Sequence, residues 1–204
     1  MKHIEAKPEY STFDLTVRQP GLAFLATTPN PSNREWRGHS YWTRAKGELR
    51  AAYDGICAYT CRYLVDGGSI DHFVPKVTAA DLAYEWSNFR YCRQNVNVRK
   101  GAKQGVLDPF TIEDGWFVLD IPSGLISPNP DLPAPDRQKI ELTIAILGLN
   151  IIDEYVQERS DVALDFARGR IDFSSLAEQF PYVASEIERQ GVQQTIKDLF
   201  PGFV

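Results

Sequence analysis

Hydrophobic positions change their rhythm several times along the chain. Residues 1–40 show little periodicity and many turn formers, as in "TTPNPSNREWRGHS", which predicts a loop-rich arm with one short helix or strand near "GLAFLATT". From about Trp42 to Tyr53, Ala45, Leu49 and Ala52 fall on one helical face, with Ser40 placed to cap the start and Gly55 to end it. Two β-rich runs follow, "CRYLV" and "SIDHFV"; they flank "DGG" and predict a hairpin. Next, "TAADLAYEWSNFRYCRQNVNVRKG" reads as a loop and then a helix from about Trp86 to Arg99. The predicted order is therefore strand, turn, strand, loop, helix. A further strand is expected at "GWFVLDI", and the Pro-rich run 122–135 reads as a connector.

Beyond the connector the pattern is helical. "DRQKIELTIAIL" predicts one helix, interrupted at Gly148. Asn150 with Asp153 makes a capping-box-like start for the next, and Ser175 with Glu178 makes another start. The fold class expected from this order is α+β. Its segments are an arm and helix over 1–52, a mixed core over 53–121, a connector over 122–135 and a helical region over 136–204.

Composition narrows the class. A hydrophobic content of 43% with 24% charged residues over 204 residues is that of a soluble globular chain of one domain or slightly more. No run approaches the roughly 18 apolar residues that span a bilayer, so no membrane partner is expected. The start, "MKHIEAKPEY", lacks the apolar segment of a signal peptide, and three cysteines (Cys57, Cys61, Cys92) do not make a secreted disulfide framework. A reducing cytoplasm is the expected compartment. Net charge is −5, yet its distribution is uneven: residues 86–103 hold Arg90, Arg93, Arg99, Lys100 and Lys103 and no acid. Such a basic stripe is a candidate phosphate footprint, although a solvated face is the commoner reason for one.

The candidate chemistry lies at Asp71-His72, Asn88, Asn97 and Lys100. A carboxylate, an imidazole, a carboxamide and a cation gathered at one point suit metal-assisted hydrolysis of a phosphodiester. Carboxylate and carboxamide oxygens are hard ligands that favour magnesium or manganese. Neutral His72 can take a proton from water, and the ion stabilises charge on the phosphorane and leaving oxygen. Lys100 and Arg99 can hold the backbone.

The run "SIDHFVPK…YEWSNFRYCRQNVNVRKG" resembles the HNH (ββα-metal) endonucleases, over about residues 53–101. Within that superfamily, "CAYTC", "IDHFVPK", "EWSNF", "LDPF" and "TIAILGLN" in order look like the PtuB-like nucleases of Septu-type antiphage systems. The resemblance implies a ββα-metal nuclease core over 53–121, His72 as general base, Asp71 and Asn97 as metal ligands, and Asn88 as the residue that fixes the loop and orients the base. It implies magnesium, or manganese, as cofactor and DNA as substrate. It also implies an ABC-type ATPase partner, PtuA-like. The acidic helical tail, with 13 Asp/Glu against 7 Lys/Arg over residues 131–204, is then either a packing collar or the docking surface for that partner.

Several readings stay open at this level. Asn95 lies two residues from Asn97, and only one of them can face the groove squarely. Three cysteines and His39 are a conceivable zinc set, but the pattern of paired cysteines found in relatives is broken here, and buried or degenerate thiols are the preferred reading. Trp36, Trp42 and Trp86 are core residues by preference, with base stacking as the alternative. A non-catalytic ββα adaptor, or an HNH nuclease acting on RNA, are the other functions compatible with the same residues.

Overall fold

A computed structural model describes residues 1–203, with an α+β organisation of helices and two small antiparallel sheets. It divides into two compact units. An N-proximal unit holds residues 5–57 and 64–104; a C-proximal unit holds residues 1–4, 58–63 and 105 onward. These bounds differ from the segments read along the sequence, because chain contacts draw residues 58–63 into the C-proximal unit.

The N-proximal unit opens with a π-type turn (Asp14–Arg18) that runs into α1 (Gln19–Thr27), followed by α2 (Asn33–Gly38). The arm expected to be mostly loop is thus largely helical. Pro20 sits in the first turn of α1, where the π-type turn passes into it, and Ser32 with Glu35 forms a complete capping box on α2. Gly21 lets α1 lie directly on Tyr84, since a Cβ there would stand 2.1 Å from the Tyr84 ring. A 3-10 stretch (Tyr41–Ala45) leads into α3 (Lys46–Ala52). Ala45 and Leu49 are buried as their spacing predicts, and Gly55, at φ +69°, donates its N–H to Arg50 O as an end-cap. Ser40, however, makes no cap bond.

Strand β1 (Ser69–His72) pairs antiparallel with β2 (Phe89–Cys92), placing Asp71 opposite Arg90 and His72 opposite Phe89; α4 (Gln94–Lys100) follows at once. Two expectations are corrected here. The partner of the Asp71-His72 strand is not "CRYLV": Cys61 has φ +50°, which breaks an extended run, and Leu64 donates its N–H back to Gly55 O. "DGG" is not a two-residue hairpin turn. Gly68 is instead where the chain passes β2 so closely that a Cβ would lie 2.8 Å from Cys92 O. The second correction is the helix expected over 86–99, whose middle, "FRYC", is β2. All four of its residues are buried, so no alternation marked it as a strand.

The C-proximal unit is built on a hairpin of β3 (Phe117–Asp120) and β4 (Leu125–Pro128), with helices α5 (Ala134–Leu147), α6 (Asp153–Ala167), α7 (Phe173–Gln179) and α8 (Pro181–Arg189). The run 122–135, read as a connector, therefore carries β4 and the start of α5. Gly148 ends α5 in the left-handed conformation, as expected. Two predicted caps are replaced. Asn150 does not cap α6; its carboxamide clamps β4 by accepting from Ile126 N–H at 2.9 Å and donating to Ile126 O at 2.7 Å. Asp172, not Ser175, caps α7, accepting the Ser175 N–H at 2.8 Å. Phe117, Leu119, Ile140, Leu147, Leu176 and Ile187 fill the core of this unit. Among the described residues no helix is long and apolar enough to cross a membrane.

Candidate active site

The β1–β2 pair and α4 bring four of the sequence-predicted residues to one place in the N-proximal unit. Side chains at i and i+3 of a helix share a face, and here Asn97 and Lys100 both reach β1. Asn97 Nδ2 donates to Ser69 Oγ at 3.0 Å and to Ile70 O at 2.9 Å. Lys100 Nζ donates to Asp71 Oδ1 at 3.0 Å and to the His72 carbonyl at 2.8 Å. Lys100 and Asp71 are only 1% and 2% exposed, so this is a fully internal ion pair. Of the two asparagines left open by the sequence, Asn97 is the one that faces β1. Asn95 is exposed and accepts the Val96 N–H.

His72 closes β1 and is buried between rings, with Trp42 at 4.9 Å and Phe89 at 5.4 Å, both edge-on. Its Nε2 lies 2.9 Å from Ala83 O. A carbonyl only accepts, so Nε2 carries the hydrogen and Nδ1 keeps its lone pair. Burial pushes the imidazole pKa down to about 4; the Ala83 bond opposes that, and the Lys76 and Lys100 charges add to it. The ring is therefore neutral at physiological pH.

Asn88 ends a 3-10 turn (Trp86–Asn88) and ties down the loop after His72. Its Oδ1 accepts from Val74 N–H at 2.7 Å, and its Nδ2 donates to Val74 O at 2.9 Å and Leu82 O at 3.1 Å. Three bonds from one carboxamide hold the segment that carries Ala83, and so hold the ring of His72.

The basic stripe does not survive as one surface. Arg90 and Lys100 are buried, with Arg90 donating to Ser87 O and Phe89 O and lying 5.1 Å from the Phe73 ring. Arg93 and Arg99 are half-buried and Lys103 is exposed. The stretch is part strand and part helix, so its cations point in different directions. Of the tryptophans, Trp36 and Trp86 are buried, Trp86 donating Nε1–H to Lys7 O, while Trp42 is partly exposed.

A hard divalent cation suits the donors here in kind, a carboxylate and a carboxamide oxygen. One oxygen of Asp71 is engaged by Lys100, and Asn97 turns its nitrogen rather than its oxygen into its two bonds. Among the described residues no three His, Cys, Asp or Glu side chains gather in a metal-holding group. Cys57 and Cys92 lie in the N-proximal unit and Cys61 in the C-proximal one, all three buried thiols. Burial pushes the Cys92 thiol up, and His39 stacks on Phe24 at 3.8 Å.

Sequence reasoning passed over Lys76. It stands in the same "IDHFVPK" run as His72, half-buried, with its ammonium 5.4 Å from the Trp42 ring and 6.0 Å from Trp36. Its position four residues past His72, beyond a proline, was the available signal.

No family model matches the chain, and no curated protein matches it.

Proposed function

We propose that the protein is a metal-dependent endonuclease of HNH type, with the ββα-metal core formed by β1, β2 and α4, acting on DNA. The observation that carries this is His72. Its Nε2–H is committed to Ala83 O, its Nδ1 lone pair remains, and the buried ring stays neutral. A neutral ring with a lone pair can take a proton from an attacking water, although burial, by holding the pKa down to about 4, makes it a weaker base than an ordinary imidazole. Asn88 positions the base by fixing the loop that holds Ala83. A magnesium or manganese ion would be held by Asp71 and Asn97. Bound there, it would stabilise charge on the phosphorane and the leaving oxygen. Lys100 supplies no phosphate contact from its internal position; it fixes Asp71 and the end of β1. On the same reading the effector role is antiphage defence in the cytoplasm, with a PtuA-like ATPase docking on the acidic helices.

A second reading has its own observation. Asp71, His72, Asn88 and Asn97 all bond to neighbours within the fold, as they would in a ββα module kept as a non-catalytic adaptor. The two readings separate in a plasmid-nicking assay with magnesium or manganese, run beside thermal melts. Wild type nicks only with metal, and His72→Ala loses roughly 10²–10⁴-fold in rate while still melting cooperatively. A His72→Ala variant that cuts as wild type does removes His72 as base, and a wild type that binds nucleic acid but never cuts favours the adaptor.

A further inference from the structure

A cavity of about 470 Å³ in the N-proximal unit is lined by Asn33, Trp36, Arg37, Ser40, Trp42 and Lys76. It lies one indole ring from the proposed base, because Trp42 both lines it and touches His72 edge-on at 4.9 Å. Its chemistry is uneven in an informative way. The lining holds two aromatic rings, two cations, two small polar groups and no carboxylate. Glu35, the acid nearest in sequence, is committed to the capping box with Ser32. Lys76 is half-buried against the indoles, and among the described residues it makes no ion pair. Its shelter is eased only by the Trp42 ring face and by the charge of Asp71, a carboxylate already bonded to Lys100, and an incoming anion gives the ammonium a direct partner.

We propose that this cavity is a nucleotide subsite that takes one unpaired nucleotide next to the scissile phosphate, its base against the partly exposed Trp42 ring and its phosphate on Lys76 and Arg37. The inference rests on the nuclease reading and deepens it: the substrate class is single-stranded or locally melted nucleic acid rather than intact duplex. Stacking on an aromatic wall needs a base whose π-face is free, and a paired base inside a duplex has none to offer. A volume within the usual range for small-ligand sites accommodates one base with its sugar. Arg37 is exposed at the cavity mouth, so it meets the backbone where the strand enters.

The test is binding by fluorescence anisotropy, without metal, using fluorescein-labelled oligo(dT), oligo(U) and the duplex of oligo(dT) with oligo(dA). The single strands bind about tenfold more tightly than the duplex, as the loss of one stacked base implies. Arg37→Gln with Lys76→Gln weakens single-strand binding about tenfold and lowers the magnitude of its salt slope by about 0.7, the value for one single-strand phosphate. Both positions are partly or fully exposed, so the pair folds even where Trp42→Leu, a second probe of the same wall, does not. Equal affinity for single strand and duplex, or a double variant with unchanged affinity and salt slope, overturns the subsite. Nicking retained alongside that result leaves the nuclease reading standing without the subsite. Single-strand preference lost in the double variant, with no nicking by wild type under any metal, keeps the subsite and removes the nuclease. Preference for oligo(U) over oligo(dT) assigns RNA as the strand, and the reverse assigns DNA.

Discussion

At the scale of single residues, Asp71 and Lys100 form an ion pair that is 2% and 1% exposed. Lys100 follows Asn97 by one helical turn, and a cation in that place reads as a phosphate contact. In the structure it is an internal counter-charge, bonded to Asp71 and to the His72 carbonyl. Removing one partner of a buried pair costs far more than exchanging both, because the remaining charge is left in a poor solvent. Lys100→Met is therefore expected to lower stability by about 3–5 kcal/mol, and adding Asp71→Asn to recover a large part of that loss. Urea denaturation of the two variants at neutral pH checks this; a Lys100→Met protein as stable as wild type would mean the pair contributes nothing. The spacing of Asn97 and Lys100, one helical turn apart, was enough to bring both onto β1 near Asp71. Lys76 and the open side of Trp42 were not legible in the sequence, since which ring stays partly exposed is settled by what packs on it.

At the scale of elements, α1 and α2 show local chemistry at work: a proline in a first turn and a Ser-x-x-Glu box mark helices in a stretch whose turn residues suggested loop. Strand β2 shows the opposite case. "FRYC" has no alternation, since both of its faces are covered, and its pairing with β1 spans the whole loop between them. Gly68 belongs to this pairing rather than to a turn. Its φ is unremarkable for any residue, so the only cost of a side chain there is steric, and the obstacle includes the Cys92 backbone carbonyl, which cannot rotate away. Gly68→Ala is expected to destabilise by about 1–3 kcal/mol, as overpacking does. In contrast Gly67→Ala, at φ +82° but with open space around it, pays only the backbone penalty. If thermal melts show Gly68→Ala unchanged, the close approach of 68 to β2 is wrong.

At the scale of the whole molecule, the division into two units runs through the chain rather than between its halves. Residues 58–63 belong to the C-proximal unit: Tyr63 N–H donates to Gln179 O at 2.9 Å, Arg62 pairs with Glu158 and lies 5.3 Å from the Phe180 ring, and Tyr59 is fully buried. A fragment of residues 105–204 lacks these contacts. Losing a buried aromatic alone costs about 3–5 kcal/mol, so the fragment is expected to melt at least about 10 °C below the full chain or without a cooperative transition. A fragment melting with the full-length midpoint would show that 58–63 are dispensable there. The uneven charge is a property of this scale too, with the excess of acids over bases lying past residue 130 and the acid-free run at 86–103 split between inside and outside.

By itself the sequence determined what depends on near neighbours: the helices of the C-terminal region, the stop at Gly148, the end-cap at Gly55 and the strand at "GWFVLDI". Those features need only the backbone preferences and spacing of a few adjacent residues. Tertiary structure decided which strand β1 pairs with, which cations are internal, which asparagine faces β1, and that Asn150 clamps a strand instead of capping a helix. Each of these is a choice among partners distant in the chain, made by burial and hydrogen-bond satisfaction together. No single stretch of sequence contains both sides of such a choice.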